Sequence, residues 1–114
     1  MKVEEGDVVL APFGYSETPE KKLRPCLVLS VNPLWVVLVR ITSKKLDKAF
    51  EHEVVLSDEE SKMIGLTTRS KIDFRKRDSI PQAEVRRVVG NIGRLPRRRL
   101  AECFLAAKAA GIID

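Results

Sequence analysis

Apolar and polar positions alternate along much of the chain in segments of strand length. Such alternation is typical of half-buried β-strands. The pattern predicts strands at "GDVVLAPF" (6–13), 24–31, 35–42, "EHEVVL" (51–56) and "SKIDFRK" (70–76), and a short strand within "SIPQAEVRRVVGNIG" (79–93). Between these segments, "SDEESKMIG" suits one helical turn, because Ser57 precedes a run of acidic residues.

The C-terminal region has helical periodicity instead. Its apolar stripe consists of Leu100, Cys103, Phe104 and Ala107. Pro96 suits the first turn of this helix, and Gly111 suits its end. With 114 residues, the chain has the length of one domain, residues 1–114. Five or six short strands and one closing helix predict a mainly β fold built on a strongly bent sheet or small barrel.

The segments 24–31 and 35–42 predict a tight hairpin. If its loop is the three residues Asn32, Pro33 and Leu34, cross-strand partners have numbers that sum to 66, which pairs Arg24 with Thr42 and Cys26 with Arg40. One face of the hairpin is then uniformly apolar and is expected to be core: Pro25, Leu27, Leu29, Val31, Trp35, Val37, Val39 and Ile41. The other face is mixed: Arg24, Cys26, Val28, Ser30, Val36, Leu38, Arg40 and Thr42.

This pairing sets a guanidinium beside a hydroxyl at the end of a stiff hairpin. Side chains directly opposite in an antiparallel pair lie about 5 Å apart at Cβ. A planar five-donor fork beside a hydroxyl suits a phosphate group. Alternatively, Arg24 and Thr42 are exposed polar residues at a sheet end.

A second group of polar residues lies on "SKIDF". With Ile72 and Phe74 facing inward, Lys71, Asp73 and Arg75 share the opposite face. A carboxylate between two cations could act as a general base beside a bound phosphate. It could equally belong to a surface ion-pair ladder that contributes little stability.

The positive charge is concentrated in one part of the chain. The net charge is +5, whereas residues 69–99 alone have a balance of +8, from eleven Lys and Arg against three acidic residues. This indicates a polyanionic or an acidic protein partner, or a well-solvated basic surface. Arg97, Arg98 and Arg99 occupy the first turn of the last helix, where the helix dipole disfavours cations. Either they bind an anionic partner or the helix tolerates them.

The remaining candidates for chemistry are few. Cys26 and Cys103 match no metal-ligand spacing, and we expect both to be buried small hydrophobes, with a disulfide as the alternative. The one histidine, His52, is expected at the exposed edge of a strand. No apolar run reaches the roughly 20 residues of a membrane span. The charged N-terminus, "MKVEEGDVV", does not resemble a signal peptide, so we expect a cytoplasmic protein.

Several motifs occur in the order found in one family. "GDVVLAPF", a polar loop, "RPCLVLSV", "ITSKK", "SKID" and "VVGNIGRL" before a final helix resemble the MazF/PemK/Kid toxins of toxin–antitoxin systems. The most specific blocks are Gly6-Asp7-Val8-Val9, Arg24-Pro25 with its strand, and Thr42-Ser43.

The resemblance implies an SH3-like curved β-barrel with a C-terminal helix, commonly a homodimer. It also implies a metal-independent, sequence-specific endoribonuclease that cuts single-stranded RNA, leaves 2′,3′-cyclic phosphate and 5′-hydroxyl ends, needs no cofactor and is neutralised by an acidic antitoxin. By motif, Arg24 and Thr42 match the family's catalytic pair, and Asp73 matches the base of the Kid branch. The RNA-binding residues implied are Glu17, Arg40, Ser43, Lys44, Lys71 and Arg75.

This sequence also departs from the family pattern. The loop before Arg24 keeps only Ser16-Glu17 of the family's recognition loop, so base preference cannot be transferred. Lys71 replaces an arginine, and Lys44 replaces a glutamine. The alternative function is a non-catalytic SH3-like module that binds RNA or protein.

Overall fold

The computed structural model describes residues 2–14 and 22–112. Within them, six strands form one antiparallel sheet in the order β4-β5-β3-β2-β1-β6. The strands are β1 (Asp7–Phe13), β2 (Lys22–Val31), β3 (Trp35–Thr42), β4 (Glu53–Val55), β5 (Lys71–Pro81) and β6 (Arg87–Asn91). The sheet curls into a half-barrel, which confirms the mainly β fold.

Two helices accompany the sheet. Helix α1 (Asp58–Met63) begins at Ser57, whose side chain accepts a hydrogen bond from the backbone of Glu60 in a capping box. Helix α2 (Arg97–Ala109) closes the fold. No helix among the described residues is both long and apolar enough to cross a membrane.

The predicted strands and helices are confirmed, with differences in their bounds and in the buried face of α2. Strand β5 extends to Pro81, well beyond the predicted segment 70–76. On α2 the buried residues are Cys103, Ala106 and Ala107, whereas Phe104 is 54% exposed. The prediction that Phe104 belongs to the packed stripe was therefore wrong.

The β2–β3 hairpin keeps the predicted pairing at its base. Cys26 pairs with Arg40, so partner numbers sum to 66 there. The observed pairing of β2 with β3 ends at Cys26 and Arg40, and the same register extended by two residues would set Arg24 opposite Thr42. The juxtaposition of the guanidinium and the hydroxyl therefore stays a prediction that this register is consistent with.

The tip of the hairpin differs from the prediction. Strand β2 ends at Val31 and β3 begins at Trp35, so residues 32–34 connect them as predicted. Val31 nevertheless pairs with Val36, so partner numbers at the tip sum to 67 and not to 66. A β-bulge at Leu29 shifts the register by one residue, so the predicted pairing holds from Val28 toward the base. The Asn32 side chain stabilises the loop by accepting hydrogen bonds from two backbone N–H groups, at 2.7 and 2.9 Å.

Both faces of the hairpin are packed, because the curled sheet encloses apolar residues on each side. The first core consists of Val8, Leu27, Val39, Ile41, Val54, Leu56, Ile64, Leu66, Ile72, Phe74, Leu95, Cys103, Ala106 and Ala107. The second core consists of Val3, Val9, Ala11, Phe13, Cys26, Val28, Val36, Leu38, Ile80 and Val85. The mixed face of the hairpin thus supplies four residues to the second core. Trp35 was expected in the core but is 47% exposed.

The start of β1 is fixed by side-chain hydrogen bonds. Gly6 has a φ of +88°, which favours glycine, and it lets the chain turn into the strand. The Asp7 carboxylate accepts hydrogen bonds from the Asn91 amide at 3.0 Å and from the backbone of Glu4 at 2.8 Å. The Gly6-Asp7 motif therefore joins the first strand to the last.

Candidate functional site

A cavity of about 740 Å³ lies at the base of the hairpin, and we call it the main cavity. Its lining residues come from β1, β2, β3, β6 and the segment after α1: Leu10, Arg24, Pro25, Arg40, Ile41, Thr42, Ser43, Lys44, Gly65, Leu66, Thr67, Thr68, Ser70, Arg87 and Val89. Cations and hydroxyl groups dominate its polar positions. The cavity is therefore chemically suited to an anion.

The hairpin register explains why cations stand at this place. Along the mixed face, Leu38 is followed by Arg40 and then by Thr42, while Cys26 is followed by Arg24 on the neighbouring strand. On this face, the apolar residues of the second core are thus followed by Arg24, Arg40 and Thr42, which line the main cavity. The Nε atoms of both arginines are buried, so their side chains run along the packed sheet before they reach the cavity.

The turn after β3 orients the hydroxyl of Thr42. Its Oγ1 accepts a hydrogen bond from the backbone N–H of Lys44 at 3.2 Å. This contact uses the oxygen as an acceptor, so the hydroxyl proton can still be donated to an anion. Lys45 completes the turn with a φ of +56°.

A second cavity of about 400 Å³ adjoins the first. Its lining residues are Arg40, Lys44, Lys45, Phe50, His52, Glu53, Lys71, Asp73, Arg75 and Lys76. Arg40 and Lys44 line both cavities. An extended ligand could therefore occupy the two cavities at once.

An ion pair lies at the bottom of the second cavity. The Lys71 ammonium is 3.0 Å from the Glu53 carboxylate and donates a hydrogen bond to the Lys45 carbonyl at 3.0 Å. Burial by itself would raise the pKa of Glu53, but the backbone N–H of Phe50 and the Lys71 ammonium lower it below the usual value. Lys71 therefore acts as an internal counter-ion to Glu53, and its side chain is only 6% exposed.

Asp73 lies beside His52 in the same cavity. The imidazole Nε2 is 3.8 Å from the Asp73 carboxylate, and the backbone N–H of Arg75 donates to that carboxylate at 3.1 Å. The His52 side chain is only 15% exposed, so the expectation of an exposed strand-edge histidine was wrong. The reason is that β4 pairs with β5, which places Glu53 opposite Asp73 and draws His52 in.

A bulge in β5 shapes this wall. Pairing with β3 shifts from Val39–Arg77 to Arg40–Asp73, which leaves three residues of β5 without partners on β3. The bulged strand bends and turns its side chains outward. Arg75 is consequently exposed at the rim, while Asp73 is buried.

The structure divides the predicted site residues between the two cavities. Around the main cavity it brings together Arg24, Arg40, Thr42, Ser43 and Lys44. Around the second cavity it brings together Lys71, Asp73 and Arg75, again with Arg40 and Lys44. Glu17 lies outside the described residues.

Among the lining residues that the sequence analysis did not assign to a site are Phe50, His52, Glu53 and Arg87. The alternation in "EHEVVL" indicated a strand but not the strand with which it pairs. That pairing, of β4 with β5, decides what His52 and Glu53 contact. Arg87 comes from β6, which pairs with β1. Its position at the main cavity depends on the curl of the sheet.

His52, Glu53 and Asp73 are also the described residues that could hold a metal ion. Their ligand atoms lie within 4.8 Å of one another. The Lys71 ammonium already contacts Glu53 and supplies the positive charge of this cluster. A cation would have to displace that ammonium.

The arginines at the start of α2 have different roles. Arg99 contacts Glu60, at 2.8 Å, and Glu102, and it donates to the Val55 carbonyl. Burial by itself would lower the pKa of Arg99, but the two carboxylates raise it. Arg99 thus joins α2 to α1 and β4, whereas Arg97 and Arg98 are exposed.

Both cysteines are free and buried, as predicted. Burial raises the pKa of Cys26 to about 12, although the nearby Arg24 lowers it in part. Burial likewise raises the pKa of Cys103 to about 11. Neither thiol is poised for nucleophilic chemistry.

Solved structures share this fold at low sequence identity. The Mycobacterium tuberculosis toxin MazF-mt6 superimposes with a TM-score of 0.71 and 19% identity, covering 95% of this chain and 98% of its own. An endoribonuclease in complex with its cognate antitoxin, from a mycobacterial species, gives 0.71 and 17%, covering 99% and 98%. A MazE–MazF structure (Form-III) from Deinococcus radiodurans gives 0.65 and 18%, covering 98% of each chain. These likenesses show the fold.

The sequence itself shows the family. No curated protein matches the chain. Residues 4–109 nevertheless match a family described as PemK-like, MazF-like toxin of type II toxin–antitoxin system. Because this match spans nearly the whole chain, the protein belongs to the PemK-like, MazF-like toxins of type II toxin–antitoxin systems.

Proposed function

We propose that the protein is a toxin endoribonuclease that cleaves single-stranded RNA, including messenger RNA, without a metal ion. The observation that carries this proposal is the shared lining of the main cavity by Arg24 and Thr42, a guanidinium and a hydroxyl on adjacent strands. Toxins of the MazF/PemK family are endoribonucleases, which supports the same conclusion.

The chemistry follows from the residues available. RNA supplies its own nucleophile, the 2′-hydroxyl, which attacks the adjacent phosphate to give a 2′,3′-cyclic phosphate and a 5′-hydroxyl end. The protein must hold the strand, stabilise the extra negative charge of the transition state and move protons. Arg24 remains charged throughout, and it stabilises the phosphate oxygens as that charge develops. Removing one such donor typically lowers the rate by about 10²- to 10³-fold.

Thr42 and Ser43 orient the phosphate. The Thr42 hydroxyl is held by the turn after β3, so it can donate to a phosphate oxygen with little loss of freedom. Arg40, Lys44 and Arg87 provide further positive charge around the same cavity. We therefore propose that cationic side chains, and not a metal ion, neutralise the charge of the bound phosphate.

Asp73 is our candidate for the general base. Its carboxylate lines the second cavity next to His52, and Arg40 and Lys44 line this cavity as well as the main one. A general base contributes about 10²- to 10⁴-fold to the rate. In this arrangement the 2′-hydroxyl would lie at the boundary between the cavities.

The decisive experiment is incubation of the folded protein with single-stranded RNA in EDTA. We expect cleavage with cyclic phosphate ends, and a loss of about 10²- to 10³-fold for Arg24→Ala. Arg98→Ala is the matched control, because Arg98 is exposed and lines neither cavity. Intact RNA, or full activity of Arg24→Ala, would contradict the proposal. RNA that is bound but not cut would indicate a non-catalytic binding module instead.

We also propose a homodimer that acts in the cytoplasm and is neutralised by an acidic antitoxin segment. The solved relatives include a toxin in complex with its cognate antitoxin and a MazE–MazF structure. The net charge of +5 favours an acidic partner. Induction in cells should arrest growth, and an acidic protein encoded beside the gene should restore it. Equilibrium sedimentation will give the oligomeric state.

A further inference from the structure

Phe50 stands at the rim of the second cavity with half of its surface exposed. The residue is 52% exposed and lies in the turn before β4. Two hydrogen bonds hold that turn: the Phe50 N–H donates to the Glu53 carboxylate at 3.0 Å, and the Glu53 N–H donates to the Phe50 carbonyl at 2.9 Å. An exposed aromatic residue on a fixed turn is a ready contact for a ligand.

The ring of Phe50 is also supported from behind. It stacks on the His52 imidazole with centroids 5.5 Å apart and an interplanar angle of 5°. His52 is in turn packed beside Asp73. The two parallel rings therefore form a rigid aromatic platform, and its outer member reaches solvent.

The surroundings of the platform favour a polyanion. The cations that line the second cavity are Arg40, Lys44, Lys45, Lys71, Arg75 and Lys76. The Lys71 charge is neutralised by Glu53, but several of the others are at the exposed rim. Single-stranded nucleic acid is recognised by this combination of a basic groove and an aromatic surface.

A lysine currently lies over the ring. The Lys48 ammonium is 5.0 Å from the Phe50 centroid. A cation–π contact at an exposed site is weaker than the stacking of a base on an aromatic side chain. A nucleobase can therefore replace the ammonium, which would then be available to a backbone phosphate.

From these observations we propose that the second cavity is a nucleobase subsite. A base that flanks the scissile phosphate stacks on Phe50, while the phosphate itself occupies the main cavity between Arg24 and Thr42. Arg40 and Lys44 line both cavities and hold the backbone between them. This inference rests on the proposed function and adds to it a second contact with the RNA.

The test compares Phe50→Ala and Phe50→Trp with the unchanged protein. Phe104→Ala is the matched control, because Phe104 is exposed to the same degree (54%) and lines neither cavity. After the cleavage sites have been mapped, each protein is assayed on RNAs in which one nucleotide flanking the cut carries no base. Single-turnover rates and RNA affinities are measured for each combination.

We expect Phe50→Ala to weaken RNA affinity or kcat/KM by roughly 5- to 150-fold, the range for one stacked base. Phe50→Trp should retain both, and Phe104→Ala should change neither. Removal of the base at one flanking position should harm the unchanged protein but cause no further loss in Phe50→Ala. That non-additivity identifies the stacked base.

Two outcomes separate the subsite from the proposed function. If the protein cleaves RNA and no flanking base is coupled to Phe50, the subsite is wrong and the function stands. If no RNA is cleaved, the proposed function fails, and the subsite is judged by binding alone. Equal affinities of Phe50→Ala and the unchanged protein for single-stranded RNA would then overturn it as well.

Discussion

Lys71 and Glu53 form an ion pair of 3.0 Å whose side chains are 6% and 5% exposed. The pair joins β5 to β4, and a hydrogen bond from Lys71 to the Lys45 carbonyl also ties the turn after Thr42 to the same strand. Lys71, which the family resemblance implies as an RNA contact, thus connects three segments that line the second cavity. The ion pair fixes the positions of the residues above it.

The first prediction concerns this pair. Lys71→Met should lower the free energy of unfolding by about 3–5 kcal/mol, because it leaves the Glu53 carboxylate buried without its counter-ion. The double variant Lys71→Met/Glu53→Gln should recover part of the loss, since no unpaired charge remains. Urea denaturation followed by circular dichroism measures both. Equal stability of Lys71→Met and the unchanged protein would show that the pair is dispensable.

A second prediction concerns acid stability. Partial burial by itself would raise the pKa of Glu60, but hydrogen bonds from the Ser57 backbone and the Arg99 guanidinium hold it below its usual value of 4.5. A carboxyl group with a lowered pKa stabilises the fold above its unfolded pKa, and the contribution disappears as the pH falls through the folded value. Glu60→Gln should therefore be destabilised at pH 7 and should converge with the unchanged protein in strong acid.

The control for this pH effect is Glu59→Gln. Glu59 is the exposed neighbour of Glu60 on the same helix. Its substitution should leave the pH profile of stability nearly unchanged. A constant difference between Glu60→Gln and the unchanged protein at every pH would mean that the hydrogen-bond geometry, and not the charge, matters.

Gly90 allows β6 to pack closely against the segment after α1. A Cβ atom at Gly90 would lie 2.0 Å from the Ile64 carbonyl oxygen, so two backbones would have to separate. Gly90→Ala should cost about 3 kcal/mol of stability. Gly111→Ala should cost only about 1–2 kcal/mol, because its Cβ would meet open space and the cost comes from the left-handed φ of +82°. Thermal unfolding should rank the two variants in this order.

The buried thiols give a prediction about reactivity. The pKa values of Cys26 and Cys103 are raised to about 12 and about 11, so both remain protonated at pH 8. We expect the native protein to react with a disulfide reagent far more slowly than the protein in denaturant, in which two thiols should be titrated. Rapid labelling of the native protein would show that β2, which carries Cys26, or α2, which carries Cys103, opens readily.

The role of the Thr42 hydroxyl can be separated from its packing. Thr42→Val keeps the shape of the side chain and removes the group that is proposed to donate to the phosphate. We expect RNA cleavage to fall by about 10²- to 10³-fold, and Thr42→Ser to retain most of the activity. The control is Thr68→Val, on the part of the cavity wall formed by the segment after α1, which should reduce the rate much less.

The sequence by itself determined the strands, the final helix and the base of the hairpin. Apolar and polar residues that alternate with a period of two indicate a strand, whatever its neighbour in the sheet is. In a hairpin the two paired strands are also close in sequence, so their register can be predicted. For this reason the pairing of Cys26 with Arg40 could be predicted, and with it the place of Arg24 and Thr42 at one cavity, even though the pairing at the tip is shifted by one. The bulge at Leu29 separates the shifted pairs at the tip from the predicted pairs at the base.

The tertiary structure alone decided the rest of the site. Pairing of β4 with β5 is what brings His52 to Asp73, and the curl of the sheet is what brings Arg87 to the main cavity. Such contacts join segments that are distant in sequence, and they depend on bulges and loop lengths that local periodicity does not encode. Burial of Lys71 belongs to the same class, because a charged residue in a strand is drawn inward only when a counter-ion from another strand meets it there.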